Sequence, residues 1–168
     1  LGARTVQRVP AGQRIDLDGL SLITTPSLAP DEWGAIVATP DGAVWNQVDT
    51  VLADPAEVRR VADRCTTELA TTLTLALIRW QPMLEVAAQL GQRTSFPYDE
   101  YAELLAAAVA TGAGTIVPSA AGEAHTRQWN AMNHRVFPVR EARFLRDLTR
   151  LSPTTRALPC RLGGRYSI

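Results

Sequence analysis

Apolar and polar residues alternate in the first third of the chain and recur at helical spacing in much of the rest. Ile15 and Leu17, then Leu20 and Leu22, alternate on either side of Asp18-Gly19. Asp-Gly between alternating runs signals a hairpin, because both turn residues tolerate a positive φ. A second alternating pair, residues 34–39 and 43–48, flanks Pro40-Asp41-Gly42. There Pro presets φ and Gly accepts the reversed conformation, so a second hairpin follows. Residues 1–13, broken by Pro10 and Gly12, have no sustained apolar period and read as an extended arm.

Asp54-Pro55 announces a helix, with Asp capping the free N–H groups and Pro at the first position, where no donor is lost. Val58, Ala62, Cys65, Leu69, Leu73, Ala76 and Trp80 then recur at steps of three and four. That spacing predicts one long helix from Pro55 to Trp80. Leu75, Leu77 and Ile78 fall off the stripe, which implies that its second half is covered on more than one side. Pro82 disfavours helical geometry at Gln81, so a short second helix is expected over 83–90, closed by Gly91. A third begins near Pro97, with Asp99 and Glu100 placed to suit the helix dipole. It buries Tyr101, Leu104, Leu105, Ala108 and Val109 and stops at Gly112 and Gly114. Thr115-Ile116-Val117 reads as a short extended piece, Ser119 as the cap of a fourth helix reaching about His134, and 139–151 as a fifth. Residues 152–168, with Pro153, Pro159 and Gly163-Gly164, form an extended tail. The expected fold class is α+β: a small antiparallel β-hairpin region, then about five helices, with a single domain over 14–151 between two arms.

At 168 residues, 46% hydrophobic and 20% charged, the chain is sized and composed for one domain with a packed core. No apolar run approaches the ~20 residues of a bilayer span, so no membrane role is expected. The start, Leu1-Gly2-Ala3-Arg4, has neither an initiator Met nor a signal pattern, and is expected to be trimmed or processed. Localisation is then cytoplasmic or within a virion. Two cysteines, Cys65 and Cys160, exclude a disulfide scaffold and leave their own pairing open. All seventeen basic residues are Arg. A GC-rich genome accounts for that usage; the functional alternative is the bidentate chemistry of the guanidinium. Zero net charge hides a division: residues 1–126 hold eight Arg against fifteen acidic residues, net −7, and residues 127–168 hold nine Arg against Glu141 and Asp147, net +7.

No glycine-rich phosphate loop and no Glu-x-x-His pair occurs. Glu123 and His125, two positions apart on a helix, point away from each other and make a poor metal pair. No catalytic, cofactor-binding or metal-ligating residue is assigned. His134 shares a polar stripe with Asn130, Arg127 and Glu123, and His125 lies on a more apolar side; the ordinary reading of both is structural, the sharper one a general base. Cys65 sits on an apolar stripe and Cys160 in the tail, which suits neither for nucleophilic work. Among Trp33, Trp45, Trp80 and Trp129, a pair exposed together would be candidate anchors for a partner. The strongest polar signal is the fifth helix, where Arg140, Arg143, Arg146 and Arg150 occupy one arc, opposite Phe144, Leu145, Leu148 and Leu151.

These features point to a non-enzymatic structural or interaction protein, a subunit of a larger assembly such as a virus or phage capsid or a multi-subunit complex. Arm exchange and acidic/basic complementarity would hold it to other protein subunits, as a homo- or hetero-oligomer. Nucleic acid is a lesser partner, contacted at phosphates without sequence readout. The alternative is a small-molecule-binding or sensory module with its pocket between sheet and helices. A third reading is an enzyme that uses His125 or His134.

Overall fold

The computed structural model describes residues 8–29, 32–48, 50, 52–82, 84–92, 95–120, 127–161 and 163–166. Strands β1 (Arg14–Leu17) and β2 (Leu20–Thr25) form the first hairpin, and β3 (Gly34–Thr39) and β4 (Gly42–Asn46) the second. β2 also pairs antiparallel with β3, so the two hairpins make one four-stranded meander. The chain then passes through α1 (Pro55–Leu69) into β5 (Leu73–Arg79), parallel to β4. Through α2 (Glu85–Gln89) and α3 (Tyr98–Ala110) it reaches β6 (Thr115–Ala120), parallel to β5. A 3-10 turn at Arg127–Met132, α4 (Asn133–Val136) and α5 (Glu141–Leu151) lead to β7 (Arg156–Ala157), parallel to β6. The seven strands lie in sequence order, antiparallel from β1 to β4 and parallel from β4 to β7.

This mixed sheet replaces the small hairpin region followed by about five helices. Among the described residues only α1, α3 and α5, of 15, 13 and 11 residues, run beyond two turns. The expected helix to Trp80 stops at Leu69. Ala70 takes a left-handed conformation at φ 50°, and its N–H reaches the carbonyls of Thr66 and Thr67. A helix end without glycine is hard to read from sequence, since αL is costly for other residues. The seven residues of β5, Leu73–Arg79, are buried or half-buried throughout, as in a parallel strand covered on both faces. Such a strand is apolar at nearly every position, so Leu73, Ala76 and Trp80 met the helical period by coincidence. Ser119, expected as a helix cap, lies within β6; residues 121–126 of the expected fourth helix lie outside the described residues.

Both arms touch the sheet where they are described. Gly12 N donates to Thr24 O at 2.7 Å, and Thr24 N to Gln13 O at 3.1 Å. In the tail, β7 is followed by Leu158 N donating to Ile116 O at 3.0 Å. Residues 1–7 and 167–168 lie outside the described residues.

Strand register sets Ile23, Ile36, Trp45, Ala76 and Ile116 in one row across five strands. All five are fully buried, and they form the core with Val58, Ala62 and Cys65 of α1 and Phe144 and Leu148 of α5. α3 packs against both α1 and α5, with Tyr101 meeting Phe144 at 6.4 Å between ring centroids. Trp80 packs against Phe144 with the rings tilted and their centroids 5.5 Å apart. This leaves one edge of the sheet at which β4, β5 and β6 all end.

Candidate functional site

Polar residues follow directly on the apolar runs of those three strands. Gln47 comes after β4; its N–H donates to Leu77 O at 2.8 Å, continuing the ladder. Thr50 N donates to Gln47 O at 3.0 Å, a turn that folds Thr50 inward. Beyond β5, Gln81 Nε2 donates to Val139 O at 2.7 Å, and Arg79 Nε to Gln81 O at 3.2 Å. Gln47, Thr50 and Gln81 are 7%, 4% and 1% exposed. Gln47 Nε2, Thr50 Oγ1, Gln81 Oε1 and, at the end of β6, Ser119 Oγ are buried without a hydrogen-bond partner among the described residues. All four atoms sit at the carboxyl ends of parallel strands, the edge at which open α/β sheets bind ligands.

Between these strand ends and α3 lies a cavity of about 60 Å³, lined by Gln47, Thr50, Arg79 and Glu100 and by apolar Ile78 and Leu104. Arg79 Nη2 stands 3.7 Å from Glu100 Oε1; the arginine side chain is 15% exposed and the glutamate 42%. The antiparallel half contributes Gly34, where an added Cβ would lie 2.6 Å from Thr25 Oγ1, 2.7 Å from Asn46 O and 2.8 Å from Thr50 Oγ1. Only glycine permits that approach. Thr25 Oγ1 in turn accepts from Trp45 Nε1 at 3.2 Å, which locks the wall behind Thr50. Exposed Leu28 and Trp33 in the β2–β3 loop, Leu90 between β5 and α3, and Tyr98 at the start of α3 lie on the connections leaving this edge.

The arginines singled out from sequence lie elsewhere. Arg140 precedes α5, and Arg143, Arg146 and Arg150 lie along it, all exposed, while Phe144 and Leu148 are buried. The row is not uniform. Arg143 Nε pairs with Asp147 Oδ2 at 3.4 Å, and its guanidinium lies 5.4 Å from the Tyr98 ring centroid. A hydrogen bond to Tyr98 and the Asp147 charge hold its pKa above the ordinary value. Tyr101 Oη donates to Asp147 Oδ2 at 3.0 Å. Burial first, then the bond to Asp147 and its charge, push that phenol well up. Arg140, Arg146 and Arg150 form no salt bridge among the described residues.

His134 is exposed, and Glu123 and His125 lie outside the described residues. Cys65 and Cys160 are free thiols; burial pushes the Cys65 thiol up, away from reactivity. Trp45 and Trp80 are core and Trp33 is exposed, whereas the Trp129 side chain is outside the described residues. Sequence reasoning missed the crevice, because Gln47, Thr50, Arg79 and Glu100 come from three separate segments. The usable signal was a polar residue where each apolar run ends, Gln47, Arg79 and Ser119, and it was hidden while residues 73–80 read as helix.

No family model and no curated protein matches the chain. Among solved structures, a variant of the CmlA beta-hydroxylase is similar in fold, with a TM-score of 0.53 and 12% identity over 90% of this chain and 32% of that one. The crystal structure of CmlA, a diiron beta-hydroxylase from Streptomyces venezuelae, gives 0.49 and 11% over 89% and 32%. The chain therefore spans about a third of the length of the structures it matches. The described residues do not fit a diiron centre, which takes a set of carboxylate and imidazole ligands. No group of three or more His, Cys, Asp or Glu among them is placed to hold a metal ion. No helix among them is long and apolar enough to cross a membrane.

Proposed function

We propose that the chain is a small-molecule-binding module whose site is the crevice at the carboxyl ends of β4 and β5. One observation carries this reading: Gln47 and Thr50, each more than nine-tenths buried, line one cavity, and Gln47 Nε2 and Thr50 Oγ1 have no hydrogen-bond partner among the described residues. A buried polar group left unpaired costs roughly 1–3 kcal/mol, so a pair of them lining one hollow calls for a bound polar group. Apolar walls with a few convergent polar atoms are the usual make-up of a small-ligand site. Thermal shift against a panel of small polar molecules tests it. A saturable rise in Tm is expected for the wild type and not for a Gln47→Leu, Thr50→Val double variant. Equal shifts in both proteins would sink the reading.

A second reading, the subunit of a larger assembly, is favoured by the exposed Arg140, Arg146 and Arg150 on α5 and by the opposed charge of the two segments. Its partners would be acidic protein surfaces, including another copy's 1–126 portion, in a cytoplasmic complex or a virion. The likeness to a third of a longer protein agrees with a module that works beside other parts, and it carries no activity over to this chain. Light scattering at low micromolar concentration tests its self-assembling form: a monomer at all salt concentrations would remove assembly through copies of this chain.

A further inference from the structure

The walls of the crevice specify more than polarity, and we propose that its ligand is a small α-amino acid in zwitterionic form. The inference rests on the crevice being a ligand site and adds the chemical class.

The polar lining is one cation, one anion, one amide and one hydroxyl: Arg79, Glu100, Gln47 and Thr50. Arg79 and Glu100 stand 3.7 Å apart, whereas a charge-assisted hydrogen bond closes to about 2.7–2.9 Å, so neither saturates the other. Arg79 Nε is already engaged by Gln81 O, which anchors the guanidinium at the wall and leaves its remaining N–H groups for another acceptor. A carboxylate beside it would accept from Arg79, from Gln47 Nε2 and from Thr50 Oγ1. These are the strong and the orphaned donors of the site.

A bare anion would still be a poor occupant. It would neutralise Arg79 and leave Glu100 beside a second negative charge, which disfavours both charged forms. An ammonium on the same molecule removes that penalty by meeting Glu100. One long ion pair is then exchanged for two short ones, and the site stays neutral. Size narrows the choice. About 60 Å³ has room for only a few water-sized groups, so the occupant is small. Ile78 and Leu104 face such a molecule with carbon only, which suits a methyl side chain and offers nothing to a polar one.

Calorimetric titration of the purified chain with L-alanine, alaninamide and propionate tests the class, since alaninamide lacks the carboxylate and propionate the ammonium. Saturable binding of alanine is expected, with the other two at least tenfold weaker. Arg79→Gln should weaken alanine at least tenfold. Glu100→Gln, at a half-exposed position, should keep the fold and weaken alanine while leaving propionate unchanged or improved. Propionate binding as well as alanine, or alanine binding Glu100→Gln undiminished, would overturn the assignment. So would the absence of alanine binding. Neutral polar molecules that stabilise the wild type but not the Gln47→Leu, Thr50→Val variant would likewise overturn the amino-acid class, while the ligand site itself would stand.

Discussion

Gln47 and Thr50 are expensive residues to bury as they stand, and their replacement has a definite sign. Removing an unpaired buried polar atom without changing shape relieves its desolvation penalty. Thr50→Val should therefore leave the unliganded protein as stable as wild type, or more stable by up to about 1 kcal/mol. The urea midpoint at unchanged m-value reads this out. A loss of about 2 kcal/mol or more would show that the hydroxyl holds the fold together and does not wait for a ligand. Gly34 gives the opposite sign. Its Cβ would press on three oxygens, one of them the backbone carbonyl of Asn46, which cannot swing aside. Gly34→Ala should cost about 1–3 kcal/mol by overpacking and should close the wall on Thr50.

Where α1 ends decides the topology, and that end rests on Ala70. A left-handed alanine carries a steric cost that glycine avoids, although glycine loses more chain entropy on folding. The net expectation for Ala70→Gly is a gain of about 0.5–1 kcal/mol, seen as a higher midpoint of urea unfolding. The junction of α3 and α5 has its own signature in pH. Tyr101 holds its proton more tightly in the folded protein than in the unfolded chain. Its contribution is complete below the unfolded pKa of about 10 and is lost as pH rises beyond it, because the unfolded chain ionises first. Cys65, raised by burial, acts in the same direction from about pH 9. Stability should thus fall on the alkaline side, and Tyr101→Phe should flatten the fall above about pH 10 when unfolding is followed across that range.

Charge is a property of the whole molecule, and it separates the two functional readings. Arg143 is held by Asp147 and Tyr98, so Arg146 and Arg150 are the arginines to reverse. Arg146→Glu with Arg150→Glu should leave folding within about ±0.5 kcal/mol, as exposed changes usually do. It should weaken any self-association seen by light scattering, since an attractive face becomes repulsive toward acidic surfaces. Binding to the crevice should not change. If self-association is unaffected at low salt, the arginine face is merely solvated and the assembly reading loses its support.

Much of this architecture is local chemistry written in the chain. Asp18-Gly19 and Pro40-Asp41-Gly42 mark the turns of two hairpins, and β1–β2 and β3–β4 pair antiparallel about them. Asp54 caps α1 through Ala56 N, with Pro55 at its first turn. The apolar faces of α3 and α5 are buried at Tyr101, Leu104, Leu105, Phe144 and Leu148. Turns, caps and helix faces depend on residues within four positions of each other, so a sequence displays them directly. The tertiary structure alone decided that residues 73–79 are a strand, that seven strands share one sheet, and that Gln47, Thr50, Arg79 and Glu100 meet. Parallel pairing joins residues some thirty or more positions apart, as Trp45 with Ala76 and Ala76 with Ile116. A strand covered on both faces loses the alternation that would identify it. The same burial that blurs its pattern carries its polar end into the interior, where the crevice forms.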